Sequence, residues 1–304
     1  MIAQNTRFLI TGGRGLIGTE LHKQLPKLGC EVRIFDIADR SGDVRDFKQL
    51  QDALDGIDAV VHLAAISRPC VAQDNPTLAI QTNVGGTRNL CEAVSLSPKP
   101  PVVLFGSSRE VYGNTPSGKQ TTESDPLRPG NVYALTKMEG ERLVTKLRQR
   151  SNTAILRFSN VYGGINDHSD RVIPLFAKQA LAGETLRVFG KDNGFDFVHV
   201  EDCARAIIAT LDIMLEHPLI KTKPGFSIDP CHVTTGCFTR LIDLAKLICQ
   251  ITGVKENIET LPAQGVGATQ FVGNPASIKR QTGWQAKIPI EEGLSRYIAQ
   301  LKTN

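Results

Sequence analysis

The feature that most constrains the fold is a glycine loop near the N-terminus, TGGRGLIG at residues 11–18. It follows a short apolar run, which predicts a strand, and it precedes an amphipathic segment, which predicts a helix. In this setting Gly12 allows a tight turn, Gly15 lets the backbone approach a diphosphate at the helix N-terminus, and Gly18 lets helix and strand pack closely. The loop therefore predicts a βαβ unit that binds a dinucleotide.

A carboxylate follows at the distance that such a unit needs. Asp36 stands 18 residues after Gly18, at the end of the second predicted strand. There it would accept hydrogen bonds from both hydroxyls of an adenosine ribose. Its charge repels a 2′-phosphate, which favours NAD over NADP, although three arginines are close enough in sequence to approach that phosphate: Arg14, Arg33 and Arg40.

Short apolar runs and amphipathic segments alternate up to residue 158, and this alternation is typical of a parallel sheet covered by helices. Strands are predicted at residues 7–11, 31–36, 59–63, 102–105 and 153–158, and helices at 16–28, 46–54, 76–96 and 132–150. The fold class is therefore predicted as α/β, a Rossmann-type doubly wound parallel sheet with a smaller, discontinuous C-terminal α/β lobe that binds the substrate.

The division into domains follows from where the pattern loosens. Residues 1–160 are predicted to form the NAD-binding domain. Residues 196–215 are predicted to return to it, since they contain a strand at 198–200 and a helix at 204–214. In residues 161–195 and 216–304, glycines and prolines separate shorter elements. These residues are therefore predicted to form the substrate-binding lobe.

Composition and charge exclude several classes of protein. The apolar runs are too short to cross a bilayer, and residues 1–7 lack the features of a secretory signal, so we expect a cytoplasmic protein with no membrane partner. The 35 basic and 31 acidic residues are dispersed, which predicts no nucleic-acid partner. The 7 cysteines lack the spacing of a disulfide framework or a zinc site, so no metal is expected.

A second pattern points to proton transfer. Tyr133 and Lys137 are four residues apart and therefore share one face of a predicted helix. A tyrosine with a pKa of about 10 needs a nearby cation to act as a base near neutrality, and Lys137 together with the positive nicotinamide ring would supply it. Ser107 and Ser108, which follow the fourth predicted strand, place hydroxyls beside the same site.

Together these residues resemble the extended short-chain dehydrogenase/reductases, and among them the NAD-dependent sugar epimerase/dehydratase family, of the UDP-glucose 4-epimerase kind. The similar segments follow the family's order: TGGRGLIG (11–18), Asp36, Asp43-Val44, HLAA (62–65), TNVGGT (82–87), SSREVYG (107–113), YALTK (133–137), LRFSNVYG (156–163) and DFVHVED (196–202).

The resemblance, together with the glycine loop, implies a set of NAD-binding residues: Gly12, Gly15, Leu16, Ile17, Gly18, Asp36, Asp43, Val44, Leu63, Ala64, Ala65, Asn83, Ser107, Tyr133, Lys137 and Phe158. It implies that the catalytic residues are Ser108, Tyr133 and Lys137, with Glu110 as a further candidate. It also implies that Ser108, Asn160 and Val161 contact the substrate.

The implied reaction begins with transfer of a hydride from a sugar carbon to NAD while Tyr133 removes the hydroxyl proton, which gives a keto sugar. Ser108 would bond the reacting oxygen and Lys137 the nicotinamide ribose. If the keto sugar rotates before the hydride returns, the product is an epimer. If a neighbouring proton and hydroxyl are eliminated first, it is a dehydratase product.

Departures from the family pattern bear on the substrate. Glu110 keeps one carboxylate of the dehydratases, but Arg109 replaces its acidic partner, so Glu110 either assists catalysis or pairs with an arginine. Phe195 and residues 265–270 stand where the family has arginines that grip the substrate diphosphate. Either the substrate is held differently or another cation takes over: Arg187, Lys191 or Arg171.

These observations favour an NAD-dependent epimerase of nucleotide sugars, of the 4-epimerase type. The alternatives are an NAD-dependent dehydrogenase of a sugar or sugar acid and, after it, a nucleotide-sugar dehydratase. A dinucleotide sensor without activity is disfavoured, because it has no use for Ser108, Tyr133 and Lys137 together. By analogy with the family, helices 76–96 and 132–150 are expected to pair in a homodimer.

Overall fold

A six-stranded parallel sheet forms the centre of the protein, in a computed structural model that describes residues 2–115, 118–216, 227–263 and 269–303. From one edge to the other the order is β2, β1, β3, β4, β5, β10. The strands are β1 (Arg7–Thr11), β2 (Glu31–Phe35), β3 (Ala59–His62), β4 (Val102–Ser108), β5 (Thr153–Phe158) and β10 (Ser227–Val233). The order reverses beside β1, so the carboxyl ends of β1 and its neighbours border a crevice.

Helices cover both faces of this sheet. One face carries α1 (Leu16–Gln24) and α8 (Val200–Glu216), and the other carries α2 (Phe47–Ala53), α5 (Gly86–Leu96) and α6 (Val132–Leu147). Successive residues of β1 point to opposite faces of the sheet. Phe8 and Ile10 pack in the core on the α1 and α8 side, and Leu9 packs in the core on the α2 and α5 side. Burial on both faces explains why the inner strands β1, β3, β4 and β5 are largely apolar.

The connection from β3 to α5 contains two short helices, α3 (Pro69–Asp74) and α4 (Pro76–Ala79), and then a π-helical turn at Ile80–Gly85. Asn83 lies in that turn. Its amide oxygen accepts from the Ile66 backbone N–H at 2.8 Å, and its amide nitrogen donates to Thr136 Oγ1 at 2.9 Å. Asn83 thus fixes the loop after β3 against α6.

A separate core, the C-terminal core, lies among α7 (Val172–Leu181), α9 (Leu241–Thr252) and α11 (Ile290–Thr303). Three small sheets accompany it: β7 (Leu186–Phe189) with β12 (Ile258–Leu261), β6 (Asn160–Tyr162) with β9 (Phe197–His199), and β8 (Gly194–Phe195) between β11 (Thr239–Arg240) and β13 (Gln270–Phe271). A further helix, α10 (Ala276–Thr282), packs beside β10.

The predicted fold class is confirmed, but two segments differ from the expectation. β10 belongs to the central sheet, although residues 216–304 were assigned to the substrate lobe. Pro230 interrupts its apolar alternation, and the strand absorbs the proline in an irregular register between Ile228 and Cys231. β9 pairs with β6 outside the central sheet, whereas α8 does pack on α1. No helix of the described ranges is long and apolar enough to cross a membrane.

Candidate functional site

A cavity of about 810 Å³ lies at the carboxyl end of the central sheet. The glycine loop, the end of β2, the loop after β3, the end of β4 and the start of α6 all border it. Every predicted site residue except Asn83 lines it: Gly12, Gly15, Leu16, Ile17, Gly18, Asp36, Asp43, Val44, Leu63, Ala64, Ala65, Ser107, Ser108, Glu110, Tyr133, Lys137, Phe158, Asn160 and Val161.

Asn83 is the predicted NAD-binding residue that the structure does not bring to the cavity. It is 3% exposed, and both ends of its side-chain amide are engaged by Ile66 and Thr136. Ile66 and Thr82 line the cavity instead. Asn83 therefore positions the cavity wall through Ile66 and does not reach the cleft itself.

The glycine loop has the shape that a diphosphate requires. Gly12 has a φ of +71°, and a Cβ atom there would lie 2.6 Å from the backbone nitrogen of Ala64. A Cβ atom on Gly18 would lie 2.5 Å from the carbonyl oxygen of Gly12. Only glycines permit this approach, which leaves the N-terminus of α1 open to the cavity, where its free N–H groups favour an anion.

Asp36 is held ready for a ribose. Its two carboxylate oxygens accept from the backbone N–H groups of Arg14 and Ala38, each at 2.9 Å. The Arg14 guanidinium is bound by Asp39, at 2.5 Å, and the Arg33 guanidinium binds the carbonyl oxygen of Ala53 at 2.6 Å. These two guanidinium groups are thus engaged and Arg40 does not line the cavity, so the cavity at Asp36 fits an unphosphorylated ribose.

Asp43 lines the same end of the cavity, beside Val44. Arg45 donates to both of its carboxylate oxygens from Nε, at 3.0 and 2.9 Å. The Arg45 hydrogen bond lowers the pKa of Asp43. The carboxylate is therefore already paired, and an adenine contact at this position has to share it with Arg45.

At the other end of the cavity, Ser108, Tyr133 and Lys137 lie together. Ser108 ends β4, with its Oγ accepting from the backbone N–H of Glu110 at 3.2 Å, and Tyr133 lies in the first turn of α6. Lys137 follows one turn later, and its Nζ donates to the carbonyl oxygen of Gly106 at 2.7 Å. Asn131 caps the helix by accepting from the N–H of Ala134 at 2.8 Å, which fixes where α6 begins.

Burial controls the proton affinities of this group. It raises the pKa of Tyr133 to about 12, although Ser108 and the positive charges of Arg171 and Arg109 act in the opposite direction. Burial also lowers the pKa of Lys137 to about 8, with Glu141 acting in the opposite direction. In the protein alone, therefore, the phenol is protonated at neutral pH and Lys137 is mostly charged.

A buried polar network supports the catalytic end from behind. Glu141 on α6 accepts from Ser107 Oγ at 2.5 Å and from Arg157 Nε and Nη2 at 2.9 and 2.7 Å. Arg157 Nη1 also donates to the hydroxyl of Tyr112 at 2.5 Å, and that hydroxyl contacts His232 Nε2 at 2.7 Å. The network ties α6 to the ends of β4, β5 and β10.

Glu110 pairs with its neighbour. Its Oε1 lies 2.7 Å from Arg109 Nη2, and its Oε2 accepts from the Asn131 amide at 3.1 Å. Both alternatives stated for Glu110 therefore have a basis, because the paired carboxylate also lines the cavity. A dehydratase site needs a second acidic residue beside this glutamate, and Arg109 occupies that position here.

The three cations that the sequence suggests in place of the missing arginines differ in whether they line the cavity. Arg171 lines the cavity and pairs with Asp167 at 2.9 Å. Arg187 lies outside it and pairs with Glu259 at 3.2 Å. Lys191 does not border it either. Of the glycine-rich segment at 265–270, residues 265–268 lie outside the described part of the chain.

Sequence reasoning missed several cavity-lining residues that come from distant loops. Arg68, which forms an ion pair with Asp170, precedes α3, and Asn166 to His168 precede α7. Arg109 lies in the SSREVYG segment, where the sequence marks it only as a departure from the dehydratase pattern. Arg68 and Asn166 to His168 carry no local motif, so only the folded chain shows that they meet.

Comparisons with known proteins agree with this geometry. The model of the NAD dependent epimerase/dehydratase family matches residues 8–218. A putative UDP-glucose 4-epimerase of Methanocaldococcus jannaschii is 28% identical, with 97% of this chain and 98% of that protein covered. A dTDP-glucose 4,6-dehydratase of Streptomyces niveus is 26% identical, with 98% and 93% covered.

A solved structure resembles the whole chain. MoeE5, in complex with UDP-glucuronic acid and NAD, superposes with a TM-score of 0.86 at 25% identity, covering 98% of this chain and 99% of that one. The glycine loop and Asp36 described above fit the same cofactor. The chain therefore belongs to the NAD-dependent epimerase/dehydratase family, and NAD is its cofactor.

Proposed function

We propose that the protein is an NAD-dependent epimerase of a nucleotide sugar, of the 4-epimerase type. The observation that carries the proposal is that one cavity is lined at one end by Ser108, Tyr133 and Lys137 and at the other by Gly12 and Asp36. One cavity thus combines a dinucleotide site with a proton donor and acceptor. Relatives that are epimerases of nucleotide sugars support the choice of substrate.

In this proposal Tyr133 takes the proton from a sugar hydroxyl and later returns it to the same oxygen. Ser108 orients that oxygen through its hydroxyl, while Lys137, held by Gly106, keeps a positive charge close to the phenol. Bound NAD supplies the hydride acceptor and donor, and its positively charged ring favours the phenolate. Asp36 and the N-terminus of α1 hold the ribose and diphosphate of the cofactor.

The Arg109–Glu110 pair disfavours the dehydratase alternative. A dehydratase must protonate a leaving hydroxyl and remove a proton from the neighbouring carbon, which takes two groups besides Tyr133. Here Glu110 is bound on both oxygens, by Arg109 and Asn131. Net oxidation of a sugar or sugar acid remains the second candidate, because Phe195 takes the place of an arginine that would grip a diphosphate.

The experiment is to mix purified protein, with and without added NAD, with UDP-, dTDP- and GDP-sugars and free sugar acids. Absorbance in the reduced-nicotinamide band and chromatography of the same mixture are followed together. Conversion of a nucleotide sugar to its epimer without net NADH is expected. Stoichiometric formation of NADH would show that the activity is that of a dehydrogenase and not of an epimerase. Loss of water from the sugar would show that it is that of a dehydratase.

Two further proposals concern the setting of the enzyme. We propose a homodimer formed through α5 and α6, where Leu96 and Leu135 are exposed, and light scattering of the purified protein measures its mass. We also propose a cytoplasmic location, which fractionation of the source cells tests.

A further inference from the structure

Arg109 differs from the other arginines of the cavity in being buried, at 7% exposure. Three of its groups are engaged. Nη2 pairs with Glu110 at 2.7 Å, Nε donates to Asn160 Oδ1 at 2.8 Å, and the face of the guanidinium lies 4.5 Å from the ring centroid of Phe195. The remaining nitrogen, Nη1, is buried and has no hydrogen-bond partner within the described ranges.

A guanidinium held in this way is suited to bind a ligand. Its orientation is set on three sides by Glu110, Asn160 and Phe195, so little side-chain freedom is lost when a ligand is bound. A buried charged donor without an acceptor is costly, and an acceptor on the ligand removes that cost. An anionic oxygen is the acceptor that forms the strongest hydrogen bond with a guanidinium.

The charges at this end of the cavity agree with an anionic ligand. Three cations line it there, Lys137, Arg109 and Arg171, against the carboxylates of Glu110 and Asp167. Arg68 also borders the cavity but is paired with Asp170. One positive charge is therefore left over among these groups, and a negatively charged ligand balances it.

We propose that Arg109 determines substrate specificity by binding an anionic oxygen of the substrate through Nη1. The inference rests on the proposed function and deepens it, since it names the group that the substrate must carry. That oxygen belongs either to a phosphoryl group of the nucleotide sugar or to a carboxylate on the sugar ring, because the two share the chemistry that a guanidinium recognises.

Two variants test the proposal. Arg109→Gln removes the charge, whereas Arg109→Lys keeps a cation beside Glu110 but lacks the second guanidinium nitrogen. The Lys variant guards against misfolding, since it leaves no unpaired carboxylate. Arg187→Gln is the matched control, because Arg187 is an exposed arginine, paired with Glu259, outside the cavity. Melting curves and the dissociation constant for NAD show whether each variant is folded.

Calorimetry with NAD-loaded protein then measures the dissociation constants of UDP, UDP-glucose and UDP-glucuronate. We expect both Arg109 variants to bind the recognised ligand about tenfold more weakly or worse, with NAD binding unchanged. Equal weakening for all three ligands identifies the phosphoryl source. Weakening for UDP-glucuronate alone identifies the carboxylate source.

Dissociation constants within twofold of the wild type in a folded Arg109 variant would overturn the inference and leave the proposed function standing. Binding without turnover in the wild type would overturn the proposed reaction while the Arg109 comparison still decides the inference. Wild-type protein that binds none of these three ligands, and none of the dTDP- and GDP-sugars of the turnover experiment, would overturn both.

Discussion

The two ends of the cavity are built in different ways. At the cofactor end, backbone groups make the contacts: the glycine loop curls against Ala64, and Asp36 is held by two N–H groups from nearby residues. At the catalytic end, side chains from distant segments meet, as when Arg109 binds Asn160, 51 residues away. The first end depends on the shape of the backbone, and the second depends on which side chains the packing of the chain brings together.

This difference indicates which changes each end tolerates. A side chain added in the glycine loop collides with backbone, which cannot move aside. A side chain changed at the catalytic end alters chemistry or support without reshaping the loop. The two ends should therefore respond separately to substitution, and the predictions below test that separation.

The largest effect is expected for Tyr133→Phe, which removes the proton acceptor and leaves the cofactor end intact. Turnover should fall by about 10²–10⁴-fold, while the dissociation constant for NAD stays within about twofold. Steady-state rates and calorimetric titration with NAD measure the two. Tyr297→Phe is the control, since Tyr297 is buried in the C-terminal core and does not line the cavity. Loss of NAD binding in Tyr133→Phe would contradict the separation of the ends.

Glu141→Ala should destabilise the fold through the catalytic end. It leaves Arg157 buried without its carboxylate, which costs about 3–5 kcal/mol in the free energy of unfolding. Glu259→Ala, which breaks the exposed pair with Arg187, should cost less than about 1 kcal/mol. Urea denaturation measures both. Similar losses for the two variants would show that the buried network gives the catalytic end no special support.

Acid should weaken both ends alike, because a buried histidine lies beneath each. His62 contacts Thr11 Oγ1 at 2.6 Å below the glycine loop, and His232 contacts Tyr112 below the catalytic end. Burial lowers the pKa of each to about 3, and for His232 this outweighs the negative charge of Asp125, which acts in the opposite direction.

Since the unfolded chain titrates near pH 6.5, it binds more protons than the folded chain below that pH. Stability is then lost as pH falls, by about 1.4 kcal/mol per pH unit for each histidine. Urea denaturation between pH 7.5 and 5 measures the slope. His62→Gln should lower it by one histidine's share, whereas the exposed His22→Gln should leave it unchanged.

The smallest effect is expected for Asp36→Asn. The amide keeps one acceptor but loses the charge, so NAD should bind about five- to tenfold more weakly, or about 1 kcal/mol. Titration with NAD measures the change. Asp52→Asn, which alters an exposed carboxylate paired with Lys48 outside the cavity, is the control. An equal loss of turnover at saturating NAD would show that the cofactor end also governs the chemistry.

The same contrast explains how much could be predicted from the sequence. Gly12 and Asp36 could be assigned because their roles depend on neighbours within one βαβ unit. Tyr133 and Lys137 could be placed on one face because helical spacing is fixed. Asn83 does not line the cavity, and its sequence position does not show that Ile66 and Thr136 use its amide.

Long-range packing accounts for the rest. The Arg109 guanidinium lies on the ring of Phe195 only because β8 folds back beside the end of β4. No periodicity or spacing carries that information. β10 was missed as a strand of the central sheet because Pro230 interrupts its pattern, and the pairing with β5 compensates only in the folded chain.

The π-helical turn at Ile80–Gly85 makes the length of the chain itself a determinant of the cleft. A π turn contains one more residue than an α turn, so deleting one residue there would restore an ordinary helix. The preceding α4 would then rotate by about 100°. Leu78, which lines the cavity, would exchange places with its neighbours, although no cleft residue had been substituted. A single-codon deletion in a turn that packs against α6 would thus change one wall of the site without altering Tyr133 itself.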